Sequence, residues 1–135
     1  MLASGILWLK YQITCIIQAR KGMAAGKRAP EDLAEGADKS PDQGKQESLQ
    51  RWTKIVQNDL ETIPIGLLMN WGSLLCNPNP CIHLGLNATF VLGRLGHSVS
   101  YAYAKMPHRA IAYMLGVFAT MGFVINGVIG SKIFE

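Results

Sequence analysis

With 135 residues, 49% of them hydrophobic and 16% charged, and a formal net charge of +4, the chain has room for one domain, residues 1–135. Most of its basic residues lie in the stretches between apolar runs, so the positive balance marks membrane topology rather than nucleic acid, and no nucleic-acid partner is predicted. The runs lack strict alternation, and an open sheet would leave backbone groups unpaired in lipid; the fold class predicted is all-α, an integral membrane four-helix bundle.

The first run, Met1 to Ala19, predicts a helix over about residues 1–20. Lys10 interrupts its middle and the cleavage site of a secretory signal is indistinct, so the helix is read as retained. Only 19 residues precede Arg20. At 1.5 Å each they make about 28 Å of helix, which barely crosses, and a shortened N-terminus is expected. The cytosolic loop predicted over about 21–51 follows, and from Arg20 to Lys54 the chain holds eight Lys/Arg against six Asp/Glu.

The second helix is predicted over about 52–76, the third over 81–104 and the fourth over 109–132. "NPNP", between the second and third, carries no charge, whereas Lys105, His108 and Arg109 surround the start of the fourth. Ala110 to Gly130 contains no Asp, Glu, Lys, Arg or His in 21 residues and is the clearest membrane segment. Counting Lys and Arg in short loops places loops one and three in the cytosol and "NPNP" in the lumen, with both termini lumenal.

Cys15 falls inside the first helix, while Cys76 and Cys81 flank the lumenal turn near His83. Two thiols and one imidazole lack the paired spacing of a structural zinc site, so no metal is predicted, and a lumenal Cys76–Cys81 disulfide stays open. "NAT" at Asn87 fits a glycosylation acceptor, but its place inside the third helix hides it.

Ionisable groups within membrane helices are costly and face bundle interiors or wet cavities. In the second helix, Arg51, Lys54, Asn58 and Glu61 fall at i, i+3, i+7 and i+10 and share a face, while Asp59 points elsewhere, toward a neighbouring helix. In the third, Arg94, His97 and Tyr101 fall at i, i+3 and i+7. Either Asp59 or Glu61 can neutralise Arg94. Lys54, Arg94 and Arg109 then leave a cationic surplus, together with His97, Tyr101 and Tyr113, that suits a small zwitterionic peptide. Arg109, at the head of the fourth helix with Tyr113 one turn on, is placed either to stabilise a ligand's thiolate or to snorkel to headgroups. Pro64 removes a backbone donor and is expected to bend the second helix below this mouth.

Three blocks carry a resemblance. "KIVQNDLETIP" looks like an Arg-x-x-x-Asn-Asp-x-Glu block, "GRLGHSVSY" like an Arg-x-x-His-x-x-x-Tyr block, and "APEDLAEG" like an Asn-Pro-Glu-Asp loop stretch. Together they resemble the membrane-associated proteins of eicosanoid and glutathione metabolism, which include microsomal glutathione transferases and microsomal prostaglandin E synthase. The similarity runs from "LKYQITCIIQAR" to the fourth helix.

The resemblance implies a homotrimer in the endoplasmic reticulum membrane, with glutathione as cofactor between adjacent subunits near the cytosolic side and a lipophilic substrate arriving from membrane lipid. It carries glutathione contacts onto Arg20, Lys54, Asn58, Glu61, Arg94, His97, Tyr101, Arg109 and Tyr113. Arg109 is the implied thiolate-stabilising residue, and Asp32 the acid that partners it.

Lys54 stands where the family has arginine, which loses the bidentate fork. Gln57 and Ala110 depart from the prostaglandin enzyme, whereas Leu60 to Thr62 is closer to it. The function expected is therefore a glutathione-dependent transferase or peroxidase acting on lipophilic electrophiles or lipid hydroperoxides. The alternatives are a prostaglandin E synthase-type isomerase and a non-catalytic lipid-binding scaffold of the same fold.

Overall fold

The computed structural model describes residues 1–26 and 42–131. Within them the chain forms four helices, α1 (Leu2–Ala24), α2 (Gln43–Leu74), α3 (Pro80–Ala102) and α4 (His108–Gly130). They make an all-helical four-helix bundle. α2 and α3 each touch every other helix, while α1 and α4 do not meet.

α2 begins at Gln43, nine residues before the boundary expected at Trp52. Hydropathy registers only the apolar part of a helix, and the added turns are polar. Pairing along the helix surface supports them instead, with Arg51 Nη2 3.6 Å from Glu47 Oε2 four residues back. Gln46 Nε2 donates to the Ala25 carbonyl at 3.1 Å, tying this extension to the end of α1.

Asp42 caps α2, its Oδ1 accepting from the Gly44 N–H at 3.1 Å and its Oδ2 lying 3.3 Å from Lys45 Nζ. The hydrogen bond from Lys45, helped by that of the Gly44 N–H, holds the Asp42 carboxyl below the usual carboxylate range. Because the folded value lies below the unfolded one, the contribution is fully present above the ordinary carboxylate pKa and is lost as pH falls through the folded value. Asp42→Ala is therefore expected to speed amide exchange across Gln43 to Leu49 at neutral pH, and the difference from the parent chain is expected to vanish in acid. Equal exchange at neutral pH would rule the cap out.

At the opposite end, the side chain of Asn79 caps α3, accepting from the Cys81 and Ile82 N–H groups at 3.1 and 3.2 Å, with Pro80 in the first turn. The backbone of Asn79 is held in turn by α4. Its N–H donates to Asn126 Oδ1 and its carbonyl accepts from Asn126 Nδ2, both at 3.2 Å. Asn77, in the same turn, adopts φ 53°, a left-handed conformation that asparagine tolerates. Cys76 and Cys81 both carry free thiols, so the disulfide left open by the sequence is not formed. Asn87 Nδ2 is engaged by Asn70 Oδ1 at 3.1 Å and by the His83 carbonyl at 3.0 Å, inside α3.

The apolar core joins Leu7, Ile63, Phe90, Val91, Ala119 and Phe123. The largest fully buried side chains nevertheless include Arg94 and Asp59, while Trp8, Leu68, Leu84, Leu92, Phe118 and Ile129 are exposed on the outside. Water-soluble domains seldom bury such charges unless they are paired. Among the described residues α4 alone is both long and apolar enough to cross a membrane, since polar side chains interrupt the other three.

Candidate functional site

α3 and α4 approach closely because Gly93 has no side chain. A Cβ there would sit 3.1 Å from both the Ala112 carbonyl oxygen and the Gly116 nitrogen. This contact sets the next residue, Arg94, between the helices.

Arg94 Nη2 donates to Asp59 Oδ1 at 2.8 Å and to Asn58 Oδ1 at 2.7 Å. The other side of Asp59 receives Lys10 of α1, so one carboxylate links α1, α2 and α3. Two cations and one anion share this buried cluster, which leaves it one positive charge in excess. Of the two acids able to neutralise Arg94, Asp59 takes the role. Glu61 is exposed, and its nearest polar partner is Gln57 Nε2 at 3.4 Å. Lys10, read from the sequence only as an interruption of the first helix, is the participant that reading missed. A solitary lysine in the middle of an apolar run was the available signal.

The predicted residues gather around two cavities. Lys54, Tyr101 and Arg109 line one of about 310 Å³ together with Arg51 and Glu47. There Arg109 lies over the Tyr101 ring, its Cζ 4.6 Å from the centroid, a cation–π contact that limits where the guanidinium can go. Glu61, Arg94 and Tyr113 line the second, of about 180 Å³, whose wall also includes Phe90 and Thr62.

His97 is buried and lines neither, its ring centroid 5.8 Å from that of Tyr101 and 6.0 Å from that of Tyr113. Asn58 touches the second cavity through Arg94. Arg20, exposed near the end of α1, lines neither. Asp32 and the surrounding "APEDLAEG" lie outside the described residues.

Two buried nitrogens here, Arg94 Nε and His97 Nδ1, have no hydrogen-bond partner. A buried donor left unpaired costs about 1–3 kcal/mol, which a polar ligand or water would recover. Among the described residues no cluster of His, Cys, Asp and Glu is arranged to hold a metal ion. The arrangement offers cations, tyrosine hydroxyls and two exposed acids, Glu47 and Glu61, a polar set for a small molecule bearing both carboxylates and an amine.

The sequence model of the MAPEG family matches residues 1–129. The chain belongs to the MAPEG family. No curated protein matches it. Membership supports membrane-associated, glutathione-related chemistry of the transferase or isomerase type in general, with glutathione as the family's usual cosubstrate. In this MAPEG chain the site is asymmetric, with a cationic cavity and a Glu61 cavity, and His97 packs against one tyrosine of each.

Proposed function

We propose that the protein is a microsomal-type glutathione transferase and peroxidase acting on lipophilic electrophiles or lipid hydroperoxides, with all four helices crossing the endoplasmic reticulum membrane in a homotrimer. The observation that carries this reading is the convergence of Lys54, Arg51 and Arg109 in one cavity against a single acid, Glu47. Glutathione supplies a thiol nucleophile, two carboxylates and an amine.

Arg51 and Lys54 hold carboxylate, Glu61 takes the ammonium group across His97, and Tyr113 closes the second cavity. Arg109, restrained on Tyr101, favours thiolate over thiol by its charge, and the thiol proton leaves to water. In transfer, a sulfur–carbon bond forms as the bond to the leaving group breaks. In peroxide reduction two thiols become a disulfide while the hydroperoxide becomes alcohol and water.

The position of Arg20 supports an assembly. Within one chain it lines neither cavity, and a neighbouring copy would bring it to the mouth. The outward apolar side chains of all four helices support a lipid surround and helix contacts between copies. On this reading the charged loops face the cytosol and the Asn79 turn faces the lumen.

Purified protein in detergent is expected to conjugate an aryl halide with glutathione. Arg109→Ala is expected to lower kcat about 10²-fold, the scale on which removing one oriented charge from a transition state acts. Lys54→Gln is expected to raise the KM for glutathione with a smaller effect on kcat. An unchanged rate in Arg109→Ala would overturn its role. An endoperoxide substrate isomerised with the glutathione pool intact would instead establish the isomerase, and calorimetry without glutathione binding would leave the lipid-binding scaffold.

A further inference from the structure

A third cavity, of about 660 Å³, lies between α1 and α3 and is separate from both cavities described above. Its size is that of small-molecule pockets, which run to about 300–1,000 Å³. Ile6 and Ile13 of α1 face Leu95 and Val99 of α3 across it, giving it apolar walls. On α1 it runs from Ile6 to Lys21, about 22 Å at 1.5 Å per residue, longer than one leaflet of a hydrocarbon core about 30 Å thick.

The polar lining has one sign of charge. Lys10 and Lys21 both line the groove, and no acidic residue does. Lys10 is committed to Asp59. Lys21 is exposed at the end of α1 and has no acidic partner among the described residues.

Of the four hydroxyl residues in the lining, Thr14, Ser48, Ser98 and Tyr103, the two buried ones are unequal. Thr14 Oγ1 donates to the Tyr11 carbonyl at 2.8 Å, whereas Ser98 Oγ is buried with no partner. Ser98 precedes Ala102, the last residue of α3, by four positions, which places it about 6 Å inside the rim. Among the described residues the groove thus presents an unpaired cation at its mouth, an unused hydroxyl one turn deeper, and hydrocarbon walls beyond.

We propose that this groove binds a single-chain lipid with an ester-linked anionic head, a monoacyl glycerophosphate, with phosphate on Lys21, the ester region at Ser98 and the acyl chain between Ile13 and Val99. The phosphate matches Lys21, the lining cation without an acidic partner among the described residues, the glycerol ester spans the step from rim to hydroxyl, and the volume accommodates one chain. The site requires no glutathione, so it stands or falls independently of the proposed transfer reaction.

Equilibrium dialysis of radiolabelled 1-oleoyl lysophosphatidic acid against the full chain in neutral detergent tests this, with oleate as the head-group control. Saturable binding of one molecule per chain, tighter than oleate, is expected. Lys21→Glu is expected to weaken it about tenfold or more, and Ser98→Ala to reduce it to the level of oleate. Val99→Trp, or Ile13→Trp should the first fail to fold, is expected to abolish binding, while Phe118→Trp on the outer face of α4 is expected to leave it unchanged. All these variants are expected to retain glutathione turnover. Uptake that does not saturate, oleate binding as tightly as the phosphate, or a folded tryptophan variant that binds normally would each overturn the proposal.

Discussion

Asp59→Leu is expected to destabilise the bundle by about 3–5 kcal/mol, the cost of breaking a buried ion pair and leaving its partner uncompensated. The effect falls at the upper end here because two cations, Lys10 and Arg94, lose at once the acid they share, their only acidic partner among the described residues. Arg94 is 1% exposed and Lys10 8%, so neither can turn to water without moving a helix. Asn58 would retain one contact to Arg94, but its amide oxygen carries no charge.

The double variant Lys10→Met/Asp59→Asn is expected to recover much of the loss, since it removes one buried cation and keeps an acceptor for the other. Glu61→Gln, two residues along the same helix but exposed, is expected to change stability by no more than about 0.5 kcal/mol while weakening glutathione binding. Unfolding of the purified variants in one detergent would separate these cases. An Asp59→Leu protein that melts with the parent chain would show that the buried triad is not what secures α1.

A second large effect is expected at Gly66. A Cβ built there would lie 2.0 Å from Phe90 Cζ, far inside van der Waals contact. Phe90 is 2% exposed and meets Phe123 edge-on, ring centroids 6.2 Å apart at 73°. The ring therefore has little freedom within the core, and the open space beside it is the 180 Å³ cavity that it lines with Glu61, Arg94 and Tyr113.

Gly66→Ala is expected to cost about 1–3 kcal/mol by overpacking and to push the ring into that cavity. Phe90→Ala alone is expected to cost about 3–5 kcal/mol through the void it leaves. Gly66→Ala/Phe90→Leu should cost less than the sum of Gly66→Ala and Phe90→Leu measured separately, with a coupling of about 0.5–3 kcal/mol, because the shorter side chain makes room for the methyl group. Additive single effects in a thermal-melt cycle would show that the two residues do not press on each other.

Much of the site could be read from helical spacing. The register that groups Lys54, Asn58 and Glu61 puts them toward α3 and α4, and the i, i+3, i+7 stripe of Arg94, His97 and Tyr101 lies along the two cavities. Periodicity tells which residues share a face of one helix, but not which helix that face meets. Asp59 was recognised as facing elsewhere, yet nothing local identified Lys10, 49 residues earlier, as its partner.

The same limit explains why six of the nine expected ligand contacts divide between two cavities, Lys54, Tyr101 and Arg109 in one and Glu61, Arg94 and Tyr113 in the other. Only packing decides that Tyr101 and Tyr113, on different helices, both come to rest against one imidazole. The polar start of α2 escaped for a different reason. Its turns rest on charge pairs and a cap rather than on apolar burial, so the hydropathy of Gln43 to Arg51 resembles that of a loop.

The clasp between Asn126 and Asn79 bears on the cellular conditions the fold can tolerate. Two reciprocal amide contacts hold the α2–α3 turn against α4 while the flanking thiols of Cys76 and Cys81 stay reduced. A turn fastened in this way needs no oxidant to mature and no isomerase to correct a mispaired thiol. Its closure rests on amide hydrogen bonds rather than on a covalent bridge, so reducing conditions leave it in place.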